Sequence, residues 1–246
     1  MSRRRLRRPR AAALATAAPT VASSRVLARI RMERPRYIAV EGPVGAGKTV
    51  LAQTLADRLG ARLVAESAEE NPFLKAFHSD RKKHAFQAQV FFLLSRFQQQ
   101  QALFQQDLFS QSTVADYLFA RDRIFASLTL APDELALYER VYELLGPRVV
   151  KPDLVVFLQA RTEVLLAHVR RRGRDFERSL DAPWLDALAR AYNEFFFHYD
   201  ETPLLVVNAS DIDLEGNPGD VEALLAVIRK HRKGRQHYVP LGTRTY

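Results

Sequence analysis

Residues 38–49 read IAVEGPVGAGKT, an apolar run, a glycine-rich turn, and then Lys48 and Thr49 at the head of an amphipathic pattern. Gly42, Gly47, Lys48 and Thr49 stand at the spacing of a phosphate-binding loop, set between strand and helix as that loop requires. Glycines let the backbone close around phosphate oxygens so that several N–H groups point inward, and the helix N-terminus adds its positive dipole end. Gly42, Gly45, Ala46 and Gly47 are the expected backbone cradle, Lys48 a mobile cation and Thr49 a hydroxyl for Mg²⁺. An ordinary glycine-rich turn explains neither Lys48 nor Thr49. The loop predicts binding of ATP or a similar triphosphate with Mg²⁺ and leaves the acceptor open.

Outward from the loop, β-rich runs at 37–40, 62–65, 113–115, 154–158 and 204–207 alternate with helical patterns at 48–59, about 84–108, 131–145, 162–171, 183–199 and 220–230. This alternation predicts an α/β fold with a five-stranded parallel sheet flanked by helices. The glutamines 98–101, with Gln105 and Gln106, read as a solvated face or an oligomer surface of the long helix. The stripe Trp184, Leu188, Tyr192, Phe195, Phe196 and Tyr199 has helical spacing and reads as core.

The 246 residues carry a formal charge of +9, which would ordinarily suggest an anionic partner such as nucleic acid or membrane. Its placement argues otherwise. Residues 1–31 hold nine arginines and no acid, so residues 32–246 are formally neutral and nucleic acid is not the expected partner. Residues 1–35 read as a basic extension outside the fold, leaving 36–246 as the folded domain. The extension fits an organelle transit peptide, a basic arm, or a start assigned upstream of Met32. The absence of cysteine excludes disulfides, thiolate metal sites and cysteine catalysis, and the histidines show no metal-ligand pairing. No apolar run approaches the ~18 residues of a membrane helix. A cytoplasmic location is expected, or an organellar one if residues 1–31 are a transit peptide.

In a doubly wound sheet, ligands sit beyond the carboxyl ends of the strands. Glu66 and Asp116 follow two of them, and RRRGRDFER at 170–178 follows a later helix. Gln89 and Arg96, seven apart on the long helix, share one face of an otherwise apolar pattern and suit a polar ligand packed against aromatics.

Taken in order, IAVEGPVGAGKT (38–49), ESAEENPFL (66–74), AFQAQVFFLLSR (85–96), ADYLFARDRIFA (115–126) and RRRGRDFER (170–178) resemble the deoxynucleoside kinases, in particular the bacterial deoxyadenosine/deoxyguanosine kinase-like members. The resemblance implies transfer of the γ-phosphate of ATP to the 5′-hydroxyl of a deoxynucleoside in nucleotide salvage, by a homodimer. It places Glu66 as the carboxylate that accepts the 5′-hydroxyl proton, with Glu69 and Glu70 as competitors. Gln89 falls at the base edge, Arg96 and Asp122 nearby, and Phe125 where an aromatic stacks on the base. Asp116 falls where an acid helps Thr49 hold Mg²⁺, and Glu177 where a carboxylate binds the 3′-hydroxyl. Arg172 and Arg174 align with lid arginines that neutralise the transferring phosphoryl group.

This chain departs from the pattern at three places. Tyr117 stands where an arginine follows the acid, with Arg121, Arg123 or Arg96 as substitutes. His168 replaces an earlier lid arginine, with Arg170 or Arg171 able to reach instead, and His78 stands where a tyrosine contacts the 3′-hydroxyl. A nucleoside monophosphate kinase of thymidylate type is the alternative, since it shares the loop and the lid.

Overall fold

The computed structural model describes residues 36–66, 68–105, 112–214 and 216–240. The expected extension at 1–35 and the last residues of the long helix, 106–108, lie outside them. The strands are β1 (Tyr37–Glu41), β2 (Arg62–Val64), β3 (Thr113–Ala115), β4 (Leu154–Gln159), β5 (Leu204–Asn208) and β6 (Arg235–Tyr238). The helices are α1 (Lys48–Leu59), α2 (Leu74–Ser79), α3 (Arg81–Gln105), α4 (Arg121–Thr129), α5 (Pro132–Leu145), α6 (Thr162–Arg172), α7 (Ala182–His198) and α8 (Pro218–Lys230).

The six strands form one parallel sheet in the order β2-β3-β1-β4-β5-β6. Alternate residues of each inner strand face opposite layers, which is why those strands read as unbroken apolar runs. Ile38, Val40, Val156, Leu158, Leu205 and Val207 pack with Leu51 and Leu55 of α1 and Leu224 and Ile228 of α8. Ala39, Val155, Phe157, Leu204 and Val206 pack on the other side with Leu188, Tyr192 and Phe196 of α7.

The expected five strands become six because β6, RQHY, has no apolar pattern. An edge strand needs only backbone pairing on one side, so mostly exposed polar side chains suffice. Two helices went unread, α2 and α4, both under ten residues long and so too short to show a period. The glutamine cluster also needs correction, since Gln100 is buried and its amide donates to the Tyr37 hydroxyl at 3.0 Å. Gln100 lies on the buried face of α3 and satisfies phenols of Tyr37 and Tyr117 that would otherwise be stranded.

Candidate active site

The loop after β1 turns through Gly45 at φ +88° and Gly47 at φ +91°, values that glycine reaches without strain. At Gly45 a side chain would also meet the carbonyl oxygen of Leu165, 2.6 Å from an added Cβ. Lys48 Nζ donates to the carbonyls of Gly42 at 2.8 Å and Pro43 at 3.1 Å, so it lies along the loop it serves. Burial, and next the neighbouring Arg121, push its amine down to about 8 against the pull of Glu41, Glu66 and Asp116.

Beyond β3, Asp116 joins the head of α1 to the segment after β2. Its Oδ2 accepts from the Thr49 hydroxyl at 3.1 Å, and its Oδ1 accepts the Glu66 backbone N–H at 2.6 Å. The Thr49 and Asp116 oxygens are hard donors of the kind Mg²⁺ takes when phosphates and water complete its shell. Among the described residues there is no cluster of three metal-ligating side chains.

Glu66 is the one acid of its segment that faces the cavity, since Glu69 and Glu70 are exposed. One carboxylate oxygen pairs with Arg96 of α3 and the other with Arg121 of α4. Burial pushes its carboxyl up, but the two guanidiniums outweigh this and hold it well below the usual carboxylate range. Arg96 also pairs with Asp122, which is 1% exposed and whose Oδ2 has no hydrogen-bond partner among the described residues.

The gap left by Tyr117 is resolved here. The Tyr117 ring is buried, with its hydroxyl 3.5 Å from Gln100. Arg121, one turn into the next segment, brings its guanidinium to Glu66 instead. Arg123 faces outward to Glu139 at 3.0 Å, so of the three substitutes Arg121 and Arg96 reach the site.

The cavity holds about 170 Å³ and is bordered by Lys48, Thr49, Glu66, His78, Gln89, Arg96, Asp116, Asp122, Phe125, Arg172, Arg174 and Glu177. Gln89, 2% exposed, donates to Thr129 Oγ1 at 3.4 Å. Phe125 lies under the Arg121 guanidinium and edge-on to Tyr192. Burial and Arg81 lower the His78 imidazole to about 4, so it is neutral at neutral pH. Trp184, read as core, in fact forms cavity wall beneath the Arg81 guanidinium, 4.5 Å from its ring centre. It opens the first turn of α7, just beyond the reach of the sheet.

A second cavity of about 560 Å³ lies behind the loop, bordered by Gly45, Gly47, His168, Arg171, Ile212 and Leu214. Arg172 borders both cavities and binds Glu177 with two donors, one of them Nε at 3.0 Å. Arg174 lies 3.8 Å from Glu69. His168 does not act as a lid residue in this arrangement: its Nδ1 is 2.8 Å from the Gly45 carbonyl, bracing the loop. Arg170 sits on the exposed face of α6 and borders neither cavity, whereas Arg171 reaches the second one.

Sequence reasoning missed Glu41, Arg121 as a committed choice, and the Tyr192 hydroxyl. The signal for Glu41 was available, since an acid ending an apolar strand is costly without partners.

A parallel sheet with a phosphate loop beside a carboxylate and arginine-lined cavity defines a P-loop phosphotransferase. A profile described as deoxynucleoside kinase matches residues 38–232, and the chain belongs to that family. It is an ATP-dependent kinase that phosphorylates deoxynucleosides, and a monophosphate acceptor is not favoured. It is 32% identical over 204 residues to deoxyguanosine kinase of Bacillus subtilis, covering 81% of this chain and 99% of that one. It is 28% identical over 199 residues to the deoxyadenosine/deoxycytidine kinase of the same organism, covering 78% and 90%. Deoxyadenosine kinase of Dictyostelium discoideum is 32% identical over 181 residues, with 71% and 73% covered. A structure of deoxyadenosine kinase from M. mycoides superposes with a TM-score of 0.69 at 24% identity, covering 78% of this chain and 98% of that one, a likeness of fold. Among the described residues no helix is long and apolar enough to cross a membrane.

Proposed function

We propose that the kinase acts on deoxynucleosides whose base carries an exocyclic amine, with Glu66 receiving the 5′-hydroxyl. The single observation behind this reading is the buried Asp122 Oδ2, an acceptor without a partner on the wall of the cavity that Glu66 closes. Adenine, guanine and cytosine can each offer it an amine proton, and Gln89 can both donate and accept beside it. The relatives named above act, by their names, on deoxynucleosides of these three bases.

In this reading the 5′-hydroxyl donates to Glu66 while its oxygen attacks the γ-phosphorus and the bond to the β-phosphate oxygen breaks. A carboxylate held so firmly ionised is a weak proton acceptor, so Glu66 chiefly orients the hydroxyl, and its proton leaves late, as suits a loose transition state. Lys48, Arg121, Arg172 and Arg174 neutralise charge on the phosphoryl oxygens. Glu177 and the neutral His78 bind the 3′-hydroxyl. Thr49 and Asp116 would hold Mg²⁺, which when bound screens the phosphate charge.

Full-length protein assayed against the four natural deoxynucleosides tests this. Turnover of at least one amine-bearing substrate is expected to exceed that of thymidine by about tenfold or more in kcat/KM. Thymidine as the best substrate would overturn it. A homodimer is proposed as well, with the exposed Leu94 of α3 and Leu137 and Leu144 of α5 as surfaces for a second copy. Sedimentation of wild type against Leu144→Glu checks that.

A further inference from the structure

Glu41 is the last residue of β1 and is fully buried, at 0% exposure. Phosphate binding does not call for an acid there, and an ionised carboxylate buried without partners is strongly unfavourable. Its surroundings consist of donors. Oε1 accepts the Gly42 backbone N–H at 2.9 Å and the Tyr192 hydroxyl at 3.2 Å, while Oε2 accepts the Leu118 N–H at 2.8 Å. Burial outweighs the pull of Arg121 and Lys48 and leaves the carboxyl above its ordinary range, while each of these hydrogen bonds comes from a donor aimed at its oxygens.

One further donor faces it. Arg121 gives Nη1 to Glu66, but its Nε is buried without a hydrogen-bond partner among the described residues, and Glu41 Oε1 lies 3.9 Å away. A shift of about 1 Å would turn that approach into a hydrogen bond. Arg121 is thus shared between a carboxylate that borders the acceptor cavity and one sealed beneath it.

We propose that Glu41 is a positioning residue for phosphoryl transfer: it holds Arg121 in place from below, so that Glu66 can turn its oxygens to the 5′-hydroxyl without losing the guanidinium from the reacting centre. Glu41 touches neither substrate. It ties the start of the phosphate loop, the segment after β3, helix α7 and Arg121 to one buried charge. The proposal rests on the reading of Arg121 as a phosphate-neutralising group.

The test compares Glu41→Gln, which keeps the shape and loses the charge, with Glu41→Asp, which keeps the charge on a shorter stem. Glu41→Gln is expected to lower kcat by about tenfold or more while both KM values stay within about threefold, the pattern of a group that acts only in the transition state. Glu41→Asp is expected to retain more turnover than Glu41→Gln. Combining Glu41→Gln with Arg121→Lys should cost little beyond Arg121→Lys alone, since the two act as one unit. Wild-type kcat in Glu41→Gln, or an Asp variant no better than Gln, overturns the proposal. Wild-type kcat in Arg121→Lys overturns the reading of Arg121 instead, and the two failures are told apart. Should Glu41→Gln not fold, nitrogen-15 NMR of the wild type decides: the Arg121 Nε–H, assigned by its loss in Arg121→Lys, should move downfield on saturation with deoxyguanosine and a non-hydrolysable ATP analogue. An unchanged resonance would refute it.

Discussion

The two sides of the active site are built in opposite ways. The phosphate loop is eight consecutive residues, 42–49, whose shape comes from backbone conformation, with Gly45 and Gly47 at positive φ and one lysine lying along the carbonyls. The acceptor side draws Glu66, Gln89, Arg96, Asp116, Arg121, Asp122 and Glu177 from several elements, with ion pairs joining Glu66 to Arg96 and Arg121, Arg96 to Asp122, and Glu177 to Arg172. The loop therefore depends on backbone conformation, which an added Cβ at Gly45 or Gly47 would strain, together with the Lys48 and Thr49 side chains, whereas the acceptor side depends on charge balance. Glu66, Asp122 and Glu177 are each matched by a guanidinium, and removing one member of a buried pair leaves its partner unpaired, a cost that can reach about 3–5 kcal/mol.

The largest effect expected on the acceptor side is that of Glu66→Gln. Turnover should fall about 10²–10⁴-fold, while ATP affinity, measured by nucleotide titration, should change by less than about threefold because the Glu66 side chain bonds Arg96 and Arg121 and no residue of the loop. An equal loss of ATP binding would break the division between the two sides. The mirror experiment is Gly45→Ala. Its positive φ and the nearby Leu165 carbonyl should weaken ATP binding by about 1–3 kcal/mol, with deoxynucleoside affinity kept.

Asp122→Asn is a smaller change confined to the base. It should narrow the preference for amine-bearing bases over thymidine by about 1–3 kcal/mol in relative kcat/KM and leave the KM for ATP alone. The smallest effect joins the two halves through Lys48, whose amine is lowered to about 8 from its ordinary 10.5. Between those values the free protein lacks a proton that phosphate binding restores. ATP binding at mildly alkaline pH should thus take up protons, seen as a buffer-dependent heat in calorimetry, and Lys48→Met should abolish the dependence. Proton release, or no buffer dependence, would contradict the sign.

How much of this was legible follows the same division. Gly42 to Thr49 could be read directly because the loop is local, and the buried strands because two-sided burial leaves continuous apolar runs. Glu66, Gln89, Arg96, Asp122 and Glu177 were legible as candidates, and the fold brings all of them to one cavity. Less legible were β6, whose polar side chains carry no pattern, and Gln100, indistinguishable in a run of glutamines from its solvated neighbour Gln98. Trp184 lies on the same helical stripe as Tyr192 and Phe196, yet it borders the cavity and they pack in the core. A periodicity reports which face is apolar, not what that face meets.

By itself the sequence determined the α/β class and the nucleotide-binding loop, because both are written in short-range spacing, and it offered the acceptor residues through strand ends, one helix face and the resemblance of its ordered motifs. Only the tertiary structure decided that Arg121 rather than Arg123 pairs with Glu66, that His168 braces the loop at Gly45, and that Glu41 lies buried beside Arg121. Those choices depend on which buried charges come within a few ångströms of one another across residues as distant as Glu41 and Tyr192. Inside a protein an unpaired charge is too costly to persist, so the pairing that satisfies them all is a property of the assembled fold.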